Sequence, residues 1–176
     1  YIRRGTRIRP QLLGGHQERS RRGGTENVPG IVAFGVAAEL AAARIGEENA
    51  RVKALRDRLE EGLLRTIPDS RVNGDRAKRL PNTSNLSFRH TQGEAILLSF
   101  DEYGICASTG SACTTGQVEP SHVLRAMDVP FTYLQGSIRF SFSRYNTEAD
   151  VDRILDVAPR VVSKLRDLSP LAPPRA

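Results

Sequence analysis

A cysteine set among small residues is the first group in this chain that could do chemistry. Cys113 lies in Ser108-Thr109-Gly110-Ser111-Ala112-Cys113-Thr114-Thr115-Gly116, where no neighbour has the bulk to bury a thiol and two glycines free the backbone. A free thiol has a pKa near 8.5, so a nearby arginine or a proton acceptor on a ligand is needed to raise the thiolate fraction. On a tether between two packed elements, such a sulfur can react in one place and be delivered to another. Arg139 is the second group. In Ser137 to Ser143, Ile138, Phe140 and Phe142 alternate with Arg139, Ser141 and Ser143, so the guanidinium leaves the strand on the face opposite the apolar one. A planar fork on a rigid strand grips a carboxylate through two parallel hydrogen bonds. Thr25 is the third: it follows two glycines and precedes a helix start, where backbone N–H groups and a hydroxyl suit a phosphate oxygen. A plain alternative stands beside the first two: an ordinary surface thiol, and a solvated strand arginine. For Thr25, Gly-Gly-Thr alone is a feeble signal.

Other reactive residues read differently. Cys106 sits in the apolar run Gly104-Ile105-Cys106-Ala107 and is expected to be a small core residue of a short buried strand. His16, His90 and His122 have no metal-ligand spacing with the cysteines or one another, so no metal is assigned to the resting protein. Arg144, at the strand end, is expected to be structural.

The elements that must position these groups alternate between strand and helix, which argues for α/β or α+β layers. Residues 1–9 alternate weakly, as in a hairpin or edge strand, and Gly14 to Asn27 is a polar, glycine-rich loop. Asn27 caps a helix with Pro29 in its first turn, and the alanine-rich stretch from Ile31 to Arg44 reads as a well-buried helix. Gly46 marks a break or hinge. Val52, Leu55, Leu59 and Leu63 then stripe an amphipathic helix that ends before Pro68. Arg71 to Arg79 is a charged connector, Asn85 to Phe88 a strand, Glu94 to Phe100 a short helix, and Ser121 to Met127 two helical turns. Thr147 with Asp150 caps a long final helix, which Pro159 kinks and Pro170 stops. The change of texture near Gly46 predicts one domain portion over 1–45, a second domain over 46–170 with a small sheet covered by helices, and a tail over 171–176.

Composition narrows the function classes. The 176 residues carry a net charge of +6, and the first 22 hold seven arginines against Glu18, which accounts for the whole excess. Aromatic residues are only 6% and no nucleic-acid motif is present, so nucleic acid is not an expected partner. No apolar run is read as a membrane span, no signal peptide is seen, and Tyr1 is not read as the natural start. Two cysteines seven positions apart fit neither a disulfide framework nor a zinc site, which indicates a reducing, cytoplasmic setting.

Three blocks in order carry a family resemblance. Gly15-His16-Gln17-Glu18 with Arg22-Gly23-Gly24-Thr25-Glu26-Asn27, then Gly110-Ser111-Ala112-Cys113-Thr114 followed by Glu119 to Ala126, then Gly136 to Ser141, together resemble cysteine desulfurases of the NifS/IscS type. The wording around Ser121-His122-Val123 and Gly136-Ser137-Ile138 is closer to nitrogen-fixation members. The resemblance implies a dimeric pyridoxal 5'-phosphate enzyme of the aspartate-aminotransferase fold (fold type I), turning L-cysteine into L-alanine. Residues 1–45 would be the end of its large cofactor-binding domain and 46–170 its small domain. It implies Cys113 as the persulfide-forming nucleophile, Arg139 as the anchor for the substrate's α-carboxylate, and Thr25 as a contact to the phosphate held by the second subunit. An iron–sulfur scaffold protein would be the sulfur acceptor, with a transient iron–sulfur contact through Cys113 during delivery. None of Lys53, Lys78 and Lys164 has the family's Schiff-base lysine context, so the chain is expected to be inactive alone. The other reading is a truncated, non-catalytic paralogue that accepts persulfide or regulates assembly.

Overall fold

The computed structural model describes residues 2–109 and 121–170, which divide into two units, 1–45 and 46–176. The first unit holds the turn α1 (Gln17–Ser20) and the opening of helix α2 (Val28–Thr66). Asn27 caps that helix, its Oδ1 accepting from the Gly30 N–H at 3.1 Å.

The second unit takes the rest of α2, then β1 (Ser70–Asn73), β2 (Thr83–Phe88), α3 (Gly93–Asp101), α4 (His122–Ala126), α5 (Phe131–Leu134), β3 (Ser137–Ser141) and α6 (Glu148–Asp167). The strands form an antiparallel sheet in the order β1-β2-β3. Alternation separates its faces. Val72, Leu86, Phe88, Ile138 and Phe140 turn into a core shared with Leu55, Leu59 and Leu63 of α2, Ile96 and Phe100 of α3, and Val151, Val161 and Val162 of α6. The Phe100 and Phe140 rings meet with centroids 6.3 Å apart and a 44° tilt. Thr147 and Asp150 form the reciprocal cap that starts α6. Gly62 lets α6 approach: a Cβ there would stand 2.5 Å from Leu155 Cδ2.

One buried charge fastens the β1–β2 connector to α2. Glu60 is fully buried, and its oxygens accept from Arg76 at 3.0 Å, from Arg79 at 2.7 and 2.9 Å, and from Ser84 Oγ at 2.6 Å. Arg56, also buried, donates to the Leu80 carbonyl at 2.9 Å.

Several expectations from the sequence change. Residues 2–9 form no strand, and a turn closes between Arg3 O and Thr6 N. Gly46 is no break: α2 runs through it as one helix, because its missing Cβ faces open space and the cost of a helical glycine, about 1 kcal/mol, is spread over a 39-residue element. The stretch from Ile31 to Arg44 is helical but exposed, with Phe34 at 78%, because none of the described residues of its unit covers it. The start of the charged connector is strand β1, whose Arg71 shares the polar face of the sheet. Residues 104–107 form no strand. Cys106 is exposed while Ile105 is buried and Ala107 packs against the core, so the segment turns those two side chains inward and the thiol outward. The apolar helix α2 also contains an 18-residue window of mean hydropathy 1.6, long and apolar enough to cross a membrane by length and composition. Ile31, Val32, Phe34, Val36 and Leu40, with alanines between them, raise its hydropathy.

Candidate active site

Arg139 lies at the middle of β3 with its neighbours Ile138 and Phe140 buried and its own side chain exposed. The guanidinium makes no hydrogen bond or ion pair among the described residues. On one side its register partner is Asn85 of β2. On the other, Ser108 forms an isolated antiparallel bridge to it, Arg139 N–H donating to Ser108 O at 2.6 Å and Ser108 N–H to Arg139 O at 3.2 Å. The chain therefore enters the cysteine segment from a residue bonded to the arginine's own backbone. Cys113 itself lies outside the described residues. The next described residue is Ser121, which stands before α4, with His122 exposed.

The entry to β3, which carries Arg139, is closely fitted, a feature the sequence did not explain. A Cβ on Gly136 would stand 2.1 Å from Phe88 O and 2.4 Å from Thr91 Oγ1. Only glycine fits where Phe88 N–H donates to Gly136 O at 2.9 Å. At the far end, Arg51 of α2 donates to the Asn146 carbonyl at 2.7 Å and to the Arg144 carbonyl, holding the turn after β3. Arg144 itself stacks on Tyr145 at 5.0 Å and faces Glu48 at 3.9 Å, a structural placement.

Thr25 belongs to the first unit. It is exposed, and its hydroxyl has no partner among the described residues. The two glycines before it serve different needs. A Cβ on Gly23 would lie 2.1 Å from Gly14 O, whereas Gly24 has φ +89°, in the left-handed region. Arg22 Nη1 donates to Thr25 O at 3.2 Å, so this arginine shapes the loop. Among the described residues, no group of three or more His, Cys, Asp and Glu side chains could hold a metal. Lys53 pairs with Asp57 at 2.5 Å on the surface of α2.

These features have a family. The aminotransferase class-V family matches residues 3–154, and the chain belongs to it. Within that class its relatives are cysteine desulfurases: it is 64% identical over 170 residues to one from Gluconacetobacter diazotrophicus, and 55% identical over 170 residues to cysteine desulfurase NifS of Azotobacter vinelandii. Each match covers 97% of this chain and 42% of the relative, so the chain spans less than half the length of these proteins. Among solved structures, a NifS-like protein superposes with a TM-score of 0.79 at 37% identity, covering 94% of this chain and 42% of that one. A NifS-like protein from Rickettsia africae gives 0.76 at 34% identity over 90% of this chain and 41% of that one. The fold is thus part of the NifS-like, pyridoxal-phosphate-dependent aminotransferase architecture, represented here by an α/β arrangement with a small antiparallel sheet.

The cofactor of this family is pyridoxal phosphate. The exposed Thr25 hydroxyl, unpartnered among the described residues behind a left-handed Gly24, has the chemistry for an oxyanion oxygen such as that of a phosphate, and an exposed strand guanidinium has the chemistry for a carboxylate.

Proposed function

We propose that this chain is the substrate-holding and sulfur-carrying part of a cysteine desulfurase, which takes L-cysteine to L-alanine and passes the sulfur on. The observation that carries this reading is the paired bridge between Arg139 and Ser108, which starts the Cys113 segment beside the carboxylate anchor. Arg139 holds the α-carboxylate of L-cysteine by two hydrogen bonds and so fixes where the substrate's sulfur lies. The Cys113 thiolate attacks that sulfur. A new S–S bond forms, the substrate's Cβ–S bond breaks, and its electron pair stays with the carbon skeleton, which takes up a proton to become alanine. Pyridoxal phosphate, when bound, supplies the electron sink for this cleavage. Thr25 holds a phosphate oxygen of the cofactor bound by the second subunit of a homodimer, which ties activity to dimerisation.

Cys113 then carries the persulfide to a thiol of an iron–sulfur scaffold protein, in the cytoplasm. The likeness to the Azotobacter vinelandii NifS protein supports a place in nitrogen fixation. Residues 1–45 belong to the cofactor-binding domain and 46–170 to the small domain, and the Schiff-base lysine is supplied by sequence outside this chain. The surface pairing of Lys53 with Asp57 supports that last point.

The test is a chimera that joins this chain to the part of the Gluconacetobacter diazotrophicus relative it does not cover. Loaded with pyridoxal phosphate and given L-cysteine and a thiol reductant, it releases sulfide, and Cys113→Ser abolishes the release. Full turnover by Cys113→Ser removes the nucleophile assignment. The chain alone, mixed with pyridoxal phosphate, gives no visible absorbance of lysine-bound cofactor.

A further inference from the structure

The polar face of the sheet holds a second donor beside Arg139. Asn73, Asn85 and Arg139 stand opposite one another on β1, β2 and β3, so their side chains rise from one face in a single row. Behind the row the amide of Asn85 is locked. Its Oδ1 accepts from Asn73 Nδ2 at 2.6 Å and from Ser137 Oγ at 2.9 Å, which uses both lone pairs. Asn73 Nδ2 spends its other hydrogen on Ser87 Oγ at 2.7 Å. Asn73, Ser87 and Ser137 are all buried, so this network is shielded from water and rigid.

The direction of the network follows from what it leaves over. In the arrangement given, the one buried atom of the network without a partner is an acceptor, Asn73 Oδ1. Turning both amides over would leave a buried N–H pair unpartnered instead, which is the rarer and costlier orphan. With Oδ1 engaged, Nδ2 of the half-buried Asn85 has no partner among the described residues. It cannot bond to the guanidinium opposite, since both are donors. Asn85 and Arg139 are paired in register on the same face, and the donors they carry suit one anion.

We propose that Asn85 donates from Nδ2 to the same substrate carboxylate that Arg139 holds, in an orientation imposed by Asn73 and Ser137. The inference rests on the reading of Arg139 as carboxylate anchor and adds a neutral donor, which sets the carboxylate's rotation about the arginine fork. Asn85 is then a discriminating residue: it favours substrates with a carboxylate over the same thiol-amine without one.

The experiment uses the cofactor-loaded chimera, with L-cysteine as substrate and cysteamine, which lacks the carboxylate, as inhibitor. Asn85→Ala is expected to raise KM for L-cysteine about tenfold, the worth of one charge-assisted hydrogen bond, with kcat and the cysteamine inhibition constant unchanged. Arg139→Ala raises KM further with the same selectivity. Asn85→Asp keeps the shape and the accepting oxygen but puts a carboxylate against Arg139, and raises KM at least as much as Asn85→Ala. If Arg139→Ala weakens cysteamine as much as L-cysteine, the anchor reading fails and this inference with it. If Arg139→Ala is selective while Asn85→Ala and Asn85→Asp leave KM for L-cysteine unmoved, the role of Asn85 alone is overturned. Equal losses for both ligands in the Asn85 variants also overturn it, since they mark a purely structural amide.

Discussion

Gly136 fixes how β3, and with it Arg139, joins the sheet, although it carries no chemistry. Its hydrogen stands where any side chain would meet Phe88 O, while Thr91 Oγ1, donating to that same oxygen at 2.7 Å, closes the space beside it. Gly136→Ala must therefore push β3 away from β2 or break the Phe88–Gly136 hydrogen bond. Overpacking of this kind costs about 1–3 kcal/mol, and here the obstacle is backbone, which cannot swing aside. The expected outcome is a lower urea midpoint with an unchanged slope, together with weaker L-cysteine binding in the chimera. An unaltered midpoint would mean that the strand entry has slack the close contact does not allow.

At the scale of elements, the β1–β2 connector is held by charge rather than by apolar contacts. Burial by itself pushes the Glu60 carboxyl up, but the hydrogen bonds from Arg79 and Ser84 and the charges of Arg79 and Arg76 outweigh it and hold the group below its ordinary value of 4.5. A carboxylate whose folded pKa is depressed adds stability that is complete above its unfolded value. That stability is lost as pH falls through the folded one. Glu60→Ala leaves the largely buried Arg79 without its anion and is expected to cost about 3 kcal/mol at neutral pH, read from urea unfolding. Glu60→Gln keeps the volume and loses the charge, so the acid limb of its stability profile below pH 4.5 should be shallower than that of the parent. An identical acid limb in the two proteins would assign the connector's hold to other groups.

On the scale of the whole molecule, the first part of α2 is unlike everything after it. Ile31, Val32, Phe34, Val36 and Leu40 are all more than half exposed on an alanine-rich helix, whereas Leu55, Leu59 and Leu63 of the same helix are buried. An apolar surface of this extent drives association when nothing covers it. The isolated chain is expected to self-associate in sedimentation and to bind a hydrophobic dye, and Phe34→Glu with Leu40→Glu should suppress both. The chimera in its parent form should bind no dye and associate no further than the proposed dimer. A monomeric, dye-silent chain would show that this helix is covered from within.

Much of the architecture was legible in the sequence because it rests on local periodicity. The 3.6-residue stripe of Val52, Leu55, Leu59 and Leu63, the strict alternation around Arg139, and the Thr147–Asp150 cap each depend on neighbours a few residues away, and each stands in the structure as read. Periodicity says which face of an element is apolar, but not what lies against that face. The alanine-rich helix could therefore be read as buried while standing exposed, and Cys106 could be assigned to a core that its neighbours Ile105 and Ala107 reach instead. Pairing across the sheet is non-local, so no single stretch announced that Asn73, Asn85, Arg139 and Ser108 share one row. That row is set by strand register, and register is fixed by a glycine contact and a polar network drawn from segments up to 64 residues apart in the chain, from Asn73 to Ser137.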